Sequence, residues 1–195
     1  MSQESASSSI CAWAMKHPLE REYHDQEWGK PVFEDQTLFE FITLEGAQAG
    51  LSWITVLKKR EGYRQAFKDY DLTVLAAMGE ADIDSIIAHY DVIKHRLKIA
   101  SVFTNAKAAL SLQQEFGSLA NALWQFVDGE PVVNQWTTME QVPASTDVSK
   151  QMSKFLKKRG FKFVGETICY SLMQATGMVN DHLVGCHSLL GKALI

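Results

Sequence analysis

Apolar residues recur at helical spacing along almost the whole chain, and this period constrains the fold more than any other feature. Ile99, Val102, Phe103, Ala106 and Leu110 mark one face of a helix that begins near His95. Leu38, Phe39, Phe41, Ile42 and Ala49 read the same way after a turn at Asp35. Ile83, Ile86, Ile87 and Tyr90 make a shorter helix, opened by Glu80, Asp82 and Asp84, which suit the positive end of a helix dipole. Ser118 is placed to cap a helix over 119–127. Asp147 or Ser149 opens another that ends at Lys158 with Gly160 as its stop, and an apolar helix over 167–176 stops at Gly177. The only strand signal is Val132–Val133, and the four prolines fall between helical stretches. An all-α fold of eight or nine short helices is expected.

A length of 195 residues, with 46% hydrophobic and 22% charged, is globular composition and excludes a disordered chain. Residues 1–9 read as a disordered tail without the basic start and apolar stretch of a secretory signal, so a cytoplasmic protein is expected. Residues 10–195 read as a single helical domain; a division into two subdomains with a cleft between them is compatible with that length. No run approaches the roughly 18 apolar residues that span a bilayer. Nothing in the pattern demands a dimer, and a monomer is expected. A net charge of −4 argues against binding nucleic acid through general surface charge, but the distribution is uneven. Lys150, Lys154, Lys157, Lys158, Arg159 and Lys162 crowd 148–165 without an acid, whereas acids dominate 19–45. The asymmetry points to a local anionic partner.

Cys11, Cys169 and Cys186 are too few and too odd in number for a disulfide framework. Cys169 lies in an apolar segment and reads as core. His182 and Cys186 stand at i and i+4, and Cys11 and His24 lie near the other end. Two thiols and two imidazoles form the donor set that tetrahedral zinc favours. Four protein ligands would leave no open position for water, so such a metal is structural and ties the chain ends together. The spacing alone leaves open that the cysteines are small core residues and the histidines ordinary surface or core groups. His187 is a weaker candidate beside Cys186, and His17, His89 and His95 read as surface.

Two further stretches carry chemistry. Gly160 and Gly165 punctuate the basic run 157–165 between two helices, where backbone N–H groups and the side chains of Lys158, Arg159 and Lys162 can meet a phosphate. A solvated basic helix end is the equal alternative there, and solvated faces are expected for Lys58-Lys-Arg60 and Lys94-His-Arg-Leu-Lys98. Trp13, Tyr23, Trp28 and Trp53 gather in the first 53 residues, suited either to a core or to stacking on a base. Glu45 stands alone among small and apolar residues, where a carboxylate is costly without a partner. Either an ion pair or helix-end hydrogen bond satisfies it, or it floors a pocket for a donor or cationic ligand.

Cys11-Ala-Trp13, Tyr23-His-Asp-Gln-Glu-Trp-Gly29 and Leu44-Glu-Gly-Ala-Gln-Ala-Gly-Leu-Ser-Trp-Ile-Thr-Val-Leu-Lys-Lys-Arg60 are joined by Lys157-Lys-Arg-Gly-Phe-Lys-Phe-Val-Gly165, Thr167-Ile-Cys-Tyr170, Met173-Gln-Ala175 and Val179-Asn-Asp-His-Leu-Val-Gly-Cys186. Together, over 11–186, these segments resemble the bacterial 3-methyladenine DNA glycosylase I family. The resemblance implies a helix-hairpin-helix glycosylase fold and one structural Zn2+ held by Cys11, His24, His182 and Cys186. It also implies a base pocket with Glu45, Tyr23 and Trp53, and with Trp13 and Trp28 nearby. The implied activity is monofunctional base excision: hydrolysis of the N-glycosidic bond of 3-methyladenine in alkylated double-stranded DNA, leaving an abasic site. The DNA contacts are expected from Lys158, Arg159, Gly160, Lys162 and Gly165. A zinc-stabilised helical DNA-binding module without catalysis is the alternative, and Asp181 is the runner-up carboxylate. Glu20 departs from the family pattern where an aromatic residue is expected beside the pocket, Leu97 where a glycine is expected, and Glu166 sits beside the basic turn.

Overall fold

Pro18 fixes the first helical dihedral, and His17 ahead of it accepts a hydrogen bond from the Leu19 N–H at 3.1 Å; together they start α1 (Pro18–Gln26). A short 3-10 turn, Ala12–Met15, precedes it and carries Trp13. The structure is a computed structural model that describes residues 10–190, so the tail expected over 1–9 and the end of the domain from 191 onward lie outside the described residues.

The next helix, α2 (Asp35–Gln48), is capped by Glu34, whose carboxylate accepts from the N–H groups of Gln36 and Thr37. It is buried without a break from Leu38 to Ala47, on every face rather than along one stripe, which makes it the central helix of the molecule. Four helices follow: α3 (Trp53–Leu57), α4 (Arg60–Ala66), α5 (Leu72–Ala77) and α6 (Glu80–His89). Then come α7 (Arg96–Phe116), which packs on α5, and α8 (Leu119–Trp124). His95 caps α7, and Gly117, at φ +85°, ends it in the left-handed region. The helix expected over 119–127 tightens into a 3-10 turn from Gln125 onward. The last helices are α9 (Asp147–Lys158), α10 (Glu166–Ala175) and α11 (His187–Leu190).

The fold is mostly helical, with eleven α-helices among the described residues rather than eight or nine. The additional helices, such as α3 and α5, run five and six residues, too short for a period to declare itself. Val132–Val133 is a strand, β1, and it pairs in parallel with β2 (Val179–Asn180). That pairing joins segments far apart in sequence, and Val179–Asn180 alone carries no strand pattern.

Polar side chains fix α2 from several sides. Asp35 accepts from the N–H groups of Leu119 and Ala120, joining the start of α2 to the start of α8. Arg60 grips Glu27 with both terminal nitrogens, at 2.7 and 2.8 Å, and Glu40 through Nε at 2.7 Å; Arg64 adds a bond to Glu40 at 2.9 Å. Lys98 donates to the carbonyls of Ala47 and Ala49, closing the C-terminal end of α2. Arg60 and Lys98 therefore face inward, not on the solvated faces expected from their basic clusters. The reason is that α2 leaves carboxylates and end carbonyls buried, and a buried acceptor needs a donor.

Candidate functional site

A cavity of about 260 Å³ opens between α1, α2 and α10, lined by Trp13, Glu20, Tyr23, Trp28, Glu45, Gln48, Trp53, Met139, Ser171 and Gln174. All four aromatic residues singled out in the sequence meet here. The Trp13 and Trp28 rings pack edge to face with centroids 5.1 Å apart, and Tyr23 lies 5.2 Å from Trp53. Their flat walls suit one planar ring system. Among the described residues, no lysine, arginine or histidine lines the cavity.

Glu45 is 5% exposed and has neither hydrogen bond nor ion pair among the described residues. Both satisfied alternatives open at the level of sequence are therefore absent. Burial alone pushes its carboxyl up from 4.5 to about 8. Tyr23 is also pushed well above its ordinary value, first by burial and then by the nearby carboxylates of Glu45 and Glu27. A carboxyl so placed gains from a guest that brings donors or positive charge.

A second cavity, about 210 Å³, shares Glu45, Gln48 and Ser171 with the first and is flanked by Ala49, Gly50, Leu51, Thr167 and Ile168. Leu51 is 41% exposed on the turn after α2, beside Gly50 at φ +80°. Sequence reasoning passed over it, because only its position at a cavity rim separates it from any exposed leucine.

The basic run forms a tight turn between α9 and α10. Gly160 adopts φ +92°, Phe161 and Val164 are buried as anchors, and Ser153 donates to the Val164 carbonyl at 2.6 Å. Asn105, on α7, donates to the Lys162 carbonyl and accepts from the Lys162 N–H at 3.1 and 2.8 Å, holding the turn as a strand neighbour would. No side chain caps the N-terminal end of α10 at Gly165. Lys158 and Lys162 are exposed. Arg159 is not: its guanidinium bonds Glu115 at 2.9 Å and lies 4.1 Å from the Phe155 ring centre. The turn presses on α2 where Gly46 has no side chain; a Cβ there would stand 3.2 Å from that of Phe163. Glu45 and the basic turn are thus mechanically adjacent.

Behind the aromatic wall, one ligand atom each from Cys11, His24 and Cys186 falls within 4.8 Å of the others, and all three residues are buried. His24 donates through Nδ1 to Asp25 at 2.8 Å, which turns Nε2 toward the Cys186 sulfur at 3.5 Å. His182 has its ring 4.8 Å from that of His24, and its Nδ1 is committed to Asn180 Oδ1 at 2.8 Å. Burial, and then the Cys186 thiol, push the Cys11 thiol up to about 11. Two thiols and one imidazole meet in this triangle and the His182 ring stands beside it, a donor set of the kind that tetrahedral zinc favours. His187, one residue on, instead meets Asp25 at 2.9 Å. Trp13 packs on His24 and Trp28 on His182, so the cluster forms the back of the cavity wall.

Asp181 has no capacity left for chemistry. Its Oδ1 accepts from Asn134 and Trp136 at 2.7 and 2.8 Å, and its Oδ2 from Tyr170 and Gln174 at 2.6 and 2.9 Å. Four donors on a 1% exposed carboxylate make it a buttress for Gln174, which lines the cavity. Cys169 is buried core, as expected. Gln48, Met139, Ser171 and Gln174 were not foreseen as lining residues.

The sequence matches the methyladenine glycosylase family over residues 13–189. It is 52% identical to DNA-3-methyladenine glycosylase 1 of Escherichia coli (strain K12), over 90% of this chain and 94% of that protein. A crystal structure of a 3-methyladenine DNA glycosylase I is 50% identical, with a TM-score of 0.88 over 92% of this chain and 98% of the other. A point variant of a 3-methyladenine DNA glycosylase I in complex with 3-methyladenine is 36% identical, with a TM-score of 0.89 over 92% and 96%.

The Glu45 carboxyl keeps its proton to about pH 8 when folded, against an ordinary value of 4.5, so the wild type loses stability as pH rises through that interval. Glu45→Gln lacks this loss and gains on the wild type by on the order of 2–4 kcal/mol at the upper end. Denaturant unfolding of both proteins on either side of the interval checks this; a pH-independent difference contradicts it.

Proposed function

This chain belongs to the methyladenine glycosylase family, and from that membership we propose that it excises 3-methyladenine from alkylated double-stranded DNA. Relatives at about half identity carry the name DNA-3-methyladenine glycosylase, and the chain is an enzyme of that class. The observation that carries the mechanism is a buried Glu45, without a partner among the described residues, in an aromatic cavity whose described lining holds no cation.

Methylation at N3 gives adenine a positive charge, which weakens the glycosidic bond and makes the base a good leaving group. A strong general acid is therefore unnecessary. The nucleotide must leave the stack, at a cost of a few kcal/mol, and enter the cavity. Trp13, Tyr23, Trp28 and Trp53 then face a cationic ring, with about 0.5–2 kcal/mol available from each well-placed face. Glu45 accepts from the donor edge of the base and, as its carboxylate, favours the charged base over neutral adenine. Water attacks the oxocarbenium-like sugar, and the bond electrons leave with the base. Among the described residues no lysine lines either cavity to form a Schiff base, which supports hydrolysis without strand cleavage.

The turn between α9 and α10 binds the DNA backbone, with Gly160 and Gly165 giving access to backbone N–H groups and Lys158 and Lys162 supplying charge. Arg159 shapes the turn from within. Leu51 fills the gap that the extruded base leaves. Cys11, His24, His182 and Cys186 would hold one Zn2+; with four protein ligands it would be structural and would fix Trp13 and Trp28. No described helix is long and apolar enough to cross a membrane. A DNA-binding module without catalysis would use the turn and the Cys/His cluster but has no use for the Glu45 cavity.

Methylated DNA incubated with the protein will release 3-methyladenine and accumulate abasic sites without strand breaks, and Glu45→Gln will slow release by about tenfold or more. A folded, zinc-loaded wild type that frees no base overturns the proposal. Metal analysis will find about one zinc per chain, and Cys11→Ala will lose both the metal and several degrees of melting temperature. A Cys11→Ala protein that melts normally with its zinc retained contradicts the ligand set.

A further inference from the structure

Glu20 is the third residue of α1, a position from which a glutamate ordinarily folds back onto the N-cap backbone N–H. Here it makes no such bond, and the His17 ring does the capping. Its side chain turns inward instead, one helical turn before Tyr23, and lines the same cavity as Glu45. Glu20 is only 9% exposed and has no hydrogen bond or ion pair among the described residues. The neighbouring cation, Arg21, is bound to Asp25 at 2.6 Å. Among the described residues, the cavity is thus lined by two carboxylic side chains and no basic one.

We propose that Glu20 is a second substrate-contacting carboxylate, which gives the cavity its preference for purines that carry a fixed positive charge. This rests on the reading of the cavity as a base pocket. A carboxylate withdrawn from water without a partner is costly. A planar guest with delocalised positive charge relieves that penalty at Glu20 and favours the ionised form of Glu45, whereas a neutral purine of similar shape does neither. Glu45 alone reads one donor edge. A second carboxylate on another element adds attraction to charge that does not depend on the orientation of that edge.

Calorimetric titration of the full-length protein with two free purines tests this. One is the permanent cation 3,9-dimethyladeninium; the other is 3-methyladenine at a pH where it is uncharged. The ratio of the two affinities is compared across variants, so differences of shape cancel. Glu20→Gln, which keeps the shape and removes the charge, will reduce the ratio in favour of the cation by about tenfold, and Glu20→Asp will retain most of it. A wild type that binds both purines while Glu20→Gln keeps the full ratio overturns the role of Glu20 alone. Equal losses for both purines also overturn it, because they mark a contact of shape and not of charge. A wild type that binds neither purine overturns the base-pocket reading, and this assignment with it.

Discussion

A carboxylate without a partner, held out of water on the most buried helix of the molecule, is the constraint around which this structure is organised. Leaving Glu45 so costs stability, since burial of an ionisable group without compensation is among the dearest things a fold can do. The surroundings hold it there rigidly. Arg60 and Arg64 neutralise Glu40, one turn away from the cavity, and Arg60 carries that tie on to Glu27 at the end of α1. Lys98 closes the end of α2 just beyond Gln48. Among the described residues, the buried acids Glu40 and Asp181 have donors, and Glu45 and Glu20 do not. The contrast between Asp181, with four donors, and Glu45, with none, separates a structural carboxylate from one kept available for a ligand.

The aromatic walls depend on a second constraint, the meeting of the two chain ends. Trp13 follows Cys11 by two residues and packs on His24, and Trp28 packs on His182. Gly29, at φ +72°, lets the backbone pass the His182 ring, where a Cβ would stand 2.8 Å from Cε1. Closing so long a loop has an entropic cost, which a bound metal or a packed cluster must offset. The basic turn is coupled to the same centre through the bare contact of Phe163 with Gly46. DNA grip, base cavity and chain-end clamp therefore share α2 and its neighbours as one support.

Much of this was legible in the sequence, and the rest was not for physical reasons. The long helices α2, α7, α9 and α10 declare themselves by runs of apolar residues at helical spacing and by the turns that bound them. The aromatic residues and Glu45 were identifiable by type: Trp and Tyr combine flat faces with polar handles, and a lone acid among small residues has few reasons to be there. The Cys/His set and the basic turn were visible in the residues with alternatives open, and the family motifs decided between them. Residues whose meaning lies in three-dimensional pairing stayed hidden. Arg60 and Lys98 look like ordinary surface cations until α2 supplies buried acceptors. Arg159 sits in a basic run yet turns onto Phe155 and Glu115. Gln174 and Ser171 reach the cavity only because α10 packs against α2, and the β1–β2 pair links segments that carry almost no local signal.

The most direct test is a carbon-13 NMR titration of the Glu45 side-chain carboxyl, in the free protein and with a permanently cationic methylated purine bound. The unpartnered carboxyl should titrate at about 8 when the cavity is free and move below neutrality when the cation occupies it. A midpoint near the ordinary 4.5 in the free protein, or one that the cation leaves in place, would mean that Glu45 is neither isolated nor the group that senses the charge of the base.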